Sequence, residues 1–315
     1  MGKIIRTCEF VSPQHPDKLC DLIADSILEA YLKKDKTSRV AVEVMAGHGQ
    51  VTISGEVTSQ AQVDLESIVK KIVGDNYQVH EYLVEQSPFI AQGVDMGGAG
   101  DQGIMVGYAC RETENFMPLE YDLARRLCQV IYKIYPFDGK VQVTLEDKVV
   151  KVVVVSWQNV QQEVLEKLVK QFIKADKYLI NPAGDWTMGG LEADSGLSGR
   201  KIVIDAYGPR VAVGGGSFSG KDYTKVDRSG AYMARKIAVG LLKKYNAQEV
   251  IVGLAYAIGV KEPVMAEAVV DNKIIILKDY DLSPQGIRKQ LALDDFAFTK
   301  TSSWGHFGQS FEWDK

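Results

Sequence analysis

Histidine, aspartate, lysine and glycine recur in this chain at spacings suited to gripping a phosphate chain. His15-Pro16-Asp17-Lys18 opens a helical pattern, with His15 at the N-cap and Asp17 and Lys18 in the first turn, where unpaired N–H groups and the helix dipole favour anions. Each of these residues alone reads as an ordinary helix start. Gly215-Gly216-Ser217-Phe218-Ser219-Gly220-Lys221 matches GxxxxGK, but the next position, where a phosphate-binding loop needs Ser or Thr to hold magnesium, is Asp222. The fold of P-loop proteins is therefore not expected. What survives is physical: glycines expose backbone N–H groups, and Lys221 stands near Arg200, Lys201 and Lys225 in a set that suits phosphate oxygens.

The charge distribution points the same way. Residues 200 to 244 carry +7 although the whole chain carries −4, so the remainder is strongly acidic. The bases flank glycines and lack interleaved stacking aromatics, which favours a compact polyphosphate over nucleic acid as partner. A second glycine motif, Gly98-Ala-Gly100-Asp-Gln-Gly103, satisfies GxGxxG but leads into Ile104-Met-Val-Gly-Tyr-Ala109. That segment reads as a strand, whereas a dinucleotide site needs a helix there.

The elements that must position these residues form a pattern repeated three times. Pro16 to Lys34 has helical spacing with Pro in the first turn, the β-branched runs Val40 to Val44 and Val51 to Val57 follow as a hairpin, and a second helix runs from about Gln60 to Val73. The order recurs at Pro118 to Lys133, Val141 to Leu145 with Val149 to Val155, and Val160 to Ile173. It returns more loosely at Lys225 to Lys244, Val250 to Ala257 with Val264 to Val270, and Pro284 to Leu291. The expectation is an α/β protein of α+β type, with three similar subdomains of antiparallel or mixed sheet plus helices. They occupy about 13–100, 104–180 and 200–315 in one compact unit with interleaved boundaries.

Composition excludes other classes. With 46% hydrophobic and 25% charged residues the chain is globular. Its longest uncharged apolar stretch, Ile251 to Val260, is about half of the roughly 20 residues that cross a bilayer, and the N-terminus shows no apolar signal region. Four cysteines form no CxxC pair. A reducing cytoplasm is expected, with neither membrane nor nucleic acid as partner.

From end to end the chain resembles the S-adenosylmethionine synthetases. The resemblance rests on His15-Pro-Asp-Lys18, Gly55-Glu56-Val-Thr58, Gln92-Gly-Val-Asp95, Gly98-Ala-Gly-Asp-Gln-Gly103 and Ile180-Asn-Pro182. It continues through Gly199-Arg-Lys201, Gly214 to Asp222, Lys225-Val-Asp-Arg-Ser229, Tyr256-Ala-Ile-Gly259 and Gly305-His-Phe-Gly308. It implies three α/β subdomains about a pseudo-threefold axis. It also implies the reaction of ATP with L-methionine to give S-adenosylmethionine, the tripolyphosphate then being cleaved to phosphate and diphosphate. Other readings are an ATP or tripolyphosphate hydrolase, or a regulatory subunit, that does not alkylate methionine.

Carried over by motif, the catalytic set is His15, Lys140, Lys221 and Arg200. ATP would further meet Asp138, Asp185, Trp186, Asp194, Lys201 and Ser217, and methionine would meet Glu56, Gln92, Asp101, Asp194 and Lys225. Asp17 and Asp227 would hold Mg2+, two ions being expected, and Glu43 would hold K+. The resemblance implies at least a homodimer, with tetramers in prospect, whose two-fold contact sets an acidic methionine-side group from the N-terminal third against the bases of 200 to 227.

The chain departs from the family in places. Ser12-Pro13-Gln14 precedes His15 where Ser-Glu-Gly is usual, and Ala183-Gly184-Asp185-Trp186 stands where the family has Thr-Gly-Arg-Phe. Only Met96 and Gly97 separate Asp95 from Gly98, where relatives carry a mobile lid. The expectation is an open methionine pocket, unless the aromatic tail from Trp304 to Trp313 covers it.

Overall fold

The computed structural model describes residues 3–315. The first set of elements is strand β1 (Ile5–Val11), helix α1 (Pro16–Lys34), strands β2 (Arg39–Gly47) and β3 (Gln50–Thr58), helix α2 (Leu65–Val73), strand β4 (Gln78–Val84) and helix α3 (Pro88–Asp95). The second is β5 (Gly103–Cys110), α4 (Leu119–Ile134), β6 (Gly139–Glu146), β7 (Val149–Trp157), α5 (Gln162–Phe172) and β8 (Lys177–Ile180). The third is β9 (Gly196–Leu197), the one-turn α6 (Ile202–Asp205), α7 (Val226–Lys244), β10 (Glu249–Tyr256), β11 (Met265–Val270), β12 (Lys273–Ile276), α8 (Pro284–Gln290) and α9 (Thr299–Ser302).

The strands make three four-stranded sheets, ordered β4-β3-β2-β9, β1-β6-β7-β8 and β12-β11-β10-β5. The strand that leads each set pairs with the hairpin of another, β1 on β6, β5 on β10 and β9 on β2. No sheet is therefore built from one continuous stretch of chain. Helices α2 and α5 are crossovers to the parallel strands β4 and β8. The third set instead turns back through the antiparallel strand β12, which is why its repeat looks looser in the sequence. The strand read after Gly103 is β5, so the GxGxxG segment does not open a helix.

Side-chain alternation explains the layering. On β2 the inward residues Val40, Val42, Val44 and Ala46 are buried, and on β6 and β10 Val141, Val143 and Leu145 and Val250, Val252 and Leu254 play the same part. Against these faces lie α1 on β2, α4 on β1 and β6, and α7 on β5 and β10. Helix α1 starts at Pro16 because His15 caps it, its Nδ1 accepting the Asp17 N–H at 3.1 Å, and it presents Leu19, Ile23, Ile27 and Leu28 to the core.

The outward sheet faces carry exposed apolar side chains, among them Met45, Ile104, Ile274 and Ile276. In the aromatic tail Phe307 and Trp313 are buried in the core. Trp313 stacks on Tyr232 with ring centroids 3.9 Å apart, and Phe307 stacks on Tyr207 at 4.6 Å.

Candidate active site

The N-terminus of α1 gathers the first group. Asp17 is buried, and its two oxygens accept the Leu197 N–H at 3.0 Å and the Lys201 ammonium at 2.5 Å, with the Arg200 guanidinium 3.5 Å away. Burial works to raise the Asp17 carboxyl, but the Lys201 hydrogen bond and the Leu197 N–H outweigh it and hold it below the usual range. His15 is pushed down to about 4, first by burial and then by the Lys201 charge, so the ring is neutral near pH 7. With Nδ1 accepting from Asp17, the proton of the neutral ring sits on Nε2.

Lys140 and Asp194 act on the same imidazole, one lowering and one raising its basicity. Lys140 lies 3.5 Å from Glu9, and the exposed Asp194 closes on its own loop by accepting the Ser195 N–H at 2.7 Å. Asp138 accepts the Gly190 N–H at 2.9 Å, and burial raises its carboxyl. Trp186 stands by the same glycine pair, since a Cβ on Gly189 would meet its ring at 2.7 Å. Asp185 accepts from the Asn181 side chain at 3.1 Å, which gives the family-atypical acid a local partner.

The part of the β2 edge that the short β9 leaves unpaired builds the second group. Residues 220 to 222 run antiparallel to it, with Val42 N–H donating to Gly220 O at 3.1 Å and Asp222 N–H to Val40 O at 3.1 Å. Alternation then turns Lys221 outward and buries Asp222. The Lys221 ammonium reaches Asp227 at 2.8 Å. Asp227 fits only because its neighbours are glycines, since a Cβ on Gly216 would stand 2.2 Å from its carboxyl carbon. Ser198 accepts the Val44 N–H at 2.9 Å and donates to Glu43 at 2.5 Å. Glu56 pairs across β2/β3 with Ala41, on the other side of which lies Lys221.

Not every expected residue joins these groups. The Lys225 ammonium is held at 2.6 Å by Asp222, whose oxygens also accept the Val40 N–H at 2.7 Å and the Thr224 N–H at 2.8 Å. Asp222, the residue that spoiled the phosphate-loop match, is thus a knot joining β2 to the start of α7. Gln92 is exposed on α3, and Asp101 is exposed and accepts the Gln102 N–H at 2.7 Å. The Asp101 loop meets the Lys225 segment through Gly100 N–H to Thr224 O at 3.3 Å. Glu56 and Lys221, from the acidic and basic sets expected to meet across a two-fold axis, flank the same residue within one chain.

Reading the sequence missed Ser198, Asp21 and Asp25. Asp21 accepts the Gly199 N–H at 2.9 Å, and Asp25 accepts the Gly220 N–H at 2.8 Å. The signal was present: Asp17, Asp21 and Asp25 recur every four residues, which puts them on one face of α1.

The contracted lid is a pinned turn. Ala99 N–H donates to Val260 O at 2.9 Å, Gly259 N–H returns to Ala99 O at 2.8 Å, and Gly98 lies so close that a Cβ there would stand 2.2 Å from Gly259 O. Among the described residues, no group of three or more His, Cys, Asp or Glu side chains converges as a metal cage. Single carboxylates beside a phosphate site are nonetheless the donor set that suits Mg2+, which takes one or two from protein and the rest from phosphate and water.

Three family models match in tandem: the N-terminal domain of S-adenosylmethionine synthetase over residues 3–88, the central domain over 96–186 and the C-terminal domain over 188–315. The chain is 39% identical to an S-adenosylmethionine synthase of Brachyspira hyodysenteriae, covering 98% of this chain and 94% of that one. It is 40% identical to one of Salinibacter ruber, with 98% and 95% covered. The first alignment runs over 372 residues against 315 in this chain, so the relative carries internal insertions. Among solved structures, one described as an unusual S-adenosylmethionine synthetase from Campylobacter jejuni matches with a TM-score of 0.89 at 33% identity, over 99% of this chain and 96% of that one.

Proposed function

The chain belongs to the S-adenosylmethionine synthetase family and is a methionine adenosyltransferase, and from that premise we propose that ATP and L-methionine react on the two lysine–aspartate groups described above. The observation that carries this reading is the pairing itself. Asp17 holds Lys201 and Asp227 holds Lys221, so each carboxylate stores a cation that a polyphosphate can draw away.

In the reaction a lone pair on the methionine sulfur forms the bond to ribose C5′ while the C5′–O bond breaks and its electrons leave on the triphosphate. The protein must orient two substrates and absorb the departing charge. Arg200, Lys201, Lys140 and Lys221 are the cations for that task. His15, neutral with its proton on Nε2, is suited to donate a hydrogen bond to the departing oxygen without adding a charge that sulfonium would oppose. The lysines that swing to phosphate release Asp17 and Asp227 for Mg2+, whose part when bound is to neutralise the phosphate oxygens. Glu43, fixed by Ser198, would offer the hard oxygens a K+ ion takes. Water then cleaves the tripolyphosphate to phosphate and diphosphate.

Methionine is assigned to the Glu56, Gln92 and Asp101 side, where carboxylates favour the developing sulfonium. At about 4 Å and an effective dielectric near 20, one carboxylate is worth roughly 4 kcal/mol. The exposed apolar sheet faces support self-association through a two-fold contact that closes the site. The four cysteines, all free and buried, suit a reducing cytoplasm. No helix of the described residues is long and apolar enough to cross a membrane.

A magnesium titration tests the assignment. Asp17→Asn and Asp227→Asn should each raise the Mg2+ concentration for half-maximal S-adenosylmethionine formation by tenfold or more. Unchanged magnesium curves with full activity would overturn it.

A further inference from the structure

We propose that Asp21 and Asp25 are positioning residues that hang both phosphate-directed loops from one helix. The inference rests on the polyphosphate reading above and adds residues to which that reading gives no role.

The helix α1 spaces Asp17, Asp21 and Asp25 one turn apart on a single face. Their carboxylates accept, in order, the Leu197, Gly199 and Gly220 N–H groups at 3.0, 2.9 and 2.8 Å. The first two of these N–H groups lie just before Arg200 and Lys201, and the third just before Lys221. Each aspartate also holds a cation: Lys201 on Asp17, Lys18 on Asp21 at 2.9 Å, and Arg228 on Asp25 through both carboxylate oxygens at 2.6 and 2.9 Å.

Ion pairing alone does not account for Asp21. Lys18 has a second carboxylate at 2.5 Å in Asp205, so a buried ammonium would keep a partner without Asp21. What has no second partner of this kind is the Gly199 N–H. That N–H is partly buried, so leaving it without an acceptor is costly, and a carboxylate acceptor is stronger than a neutral one. The close backbone approaches point the same way. A Cβ on Gly199 would meet Ser217 at 2.5 Å, and one on Gly220 would meet Val42 O at 2.1 Å, so neither loop can shift without losing its seat. Spacing within the helix then sets the distance between the Arg200-Lys201 pair and Lys221.

The test reads tripolyphosphate cleavage and segmental hydrogen exchange in the full-length protein. Asp21→Ala should raise the KM for tripolyphosphate about tenfold, the size expected for one charge-assisted hydrogen bond. Exchange should quicken in residues 196–201 and stay unchanged in 217–221. Asp21→Asn, which keeps an oxygen for the Gly199 N–H, should recover most of the KM. Asp25→Ala should quicken 217–221 in preference to 196–201. If Asp21→Ala does not fold, the asparagine variant decides, because a KM rise there as large as tenfold would show that charge beside Lys18 carries the effect. Equal quickening of both segments, or an unchanged KM in a folded Asp21→Ala protein, would also overturn the inference. Wild-type protein that cleaves no tripolyphosphate would count against the proposed function instead.

Discussion

Glu56 and Lys221 stand on either side of Ala41, in one transverse row on the outward face of one sheet. Two strand spacings separate them, about 10 Å. Lys201, tied to Asp17 at the N-terminus of α1, belongs to the other group.

The two-fold contact proposed above sets the acidic group of one chain against the bases of its partner. Co-expressed Glu56→Ala and Lys221→Ala chains should then regain activity, since a mixed dimer contains one site with both residues intact. Purified heterodimers that stay inactive would show that one chain supplies both residues to a site.

How much of this was legible depends on the distance between partners in sequence. The hairpins and the long helices declare themselves through β-branched runs and 3.6-residue spacing. Strands β1 and β9 do not, because their pairing partners β6 and β2 lie more than a hundred residues away and β9 is only two residues long. The motif residues were readable singly; their grouping was not. Lys225 reads as a free base until Asp222 is seen to hold it, and nothing in the sequence sets Glu56 and Lys221 on either side of Ala41 until β2 is placed between them. The aspartate repeat of α1 was visible, but its acceptors' partners are backbone N–H groups, which no residue type announces.

His15 makes the pH behaviour specific. Its pKa is lowered from 6.5 to about 4 by burial and Lys201, so the folded protein keeps the ring neutral while the unfolded chain protonates it. Between those values the unfolded state binds more protons, and the His15 share of stability falls as pH drops through that window. The buried His306 works in the same direction. His15→Asn should therefore make the fall in melting temperature between about pH 7 and pH 5 shallower than in wild type. Adenosyl transfer should show no inflection near 6.5 that belongs to His15. An inflection there that vanishes in His15→Asn would contradict the neutral-donor role.

The pinned turn at Gly98 bears on selectivity. With Ala99 bonded to Val260 and Gly98 against Gly259, the short segment after Asp95 is fixed and too small to close over substrates. Methionine binding should be weaker than in a relative with a full lid, and ethionine should be used with less discrimination. A methionine KM and an ethionine-to-methionine ratio both equal to those of such a relative, assayed side by side, would rule this out.

His15 should also separate the two half-reactions. The role proposed for it beside the departing oxygen concerns alkylation more than hydrolysis, so His15→Asn should depress S-adenosylmethionine formation much more than cleavage of added tripolyphosphate. Equal loss of both would show that the role is misassigned.

The most direct measurement is product stoichiometry from purified protein supplied with ATP, L-methionine, Mg2+ and K+, read by mass spectrometry and phosphate analysis. The expected result is one S-adenosylmethionine, one phosphate and one diphosphate for each ATP consumed, all abolished by excess chelator. ATP consumption that yields ADP and phosphate, with no sulfonium product, would contradict it.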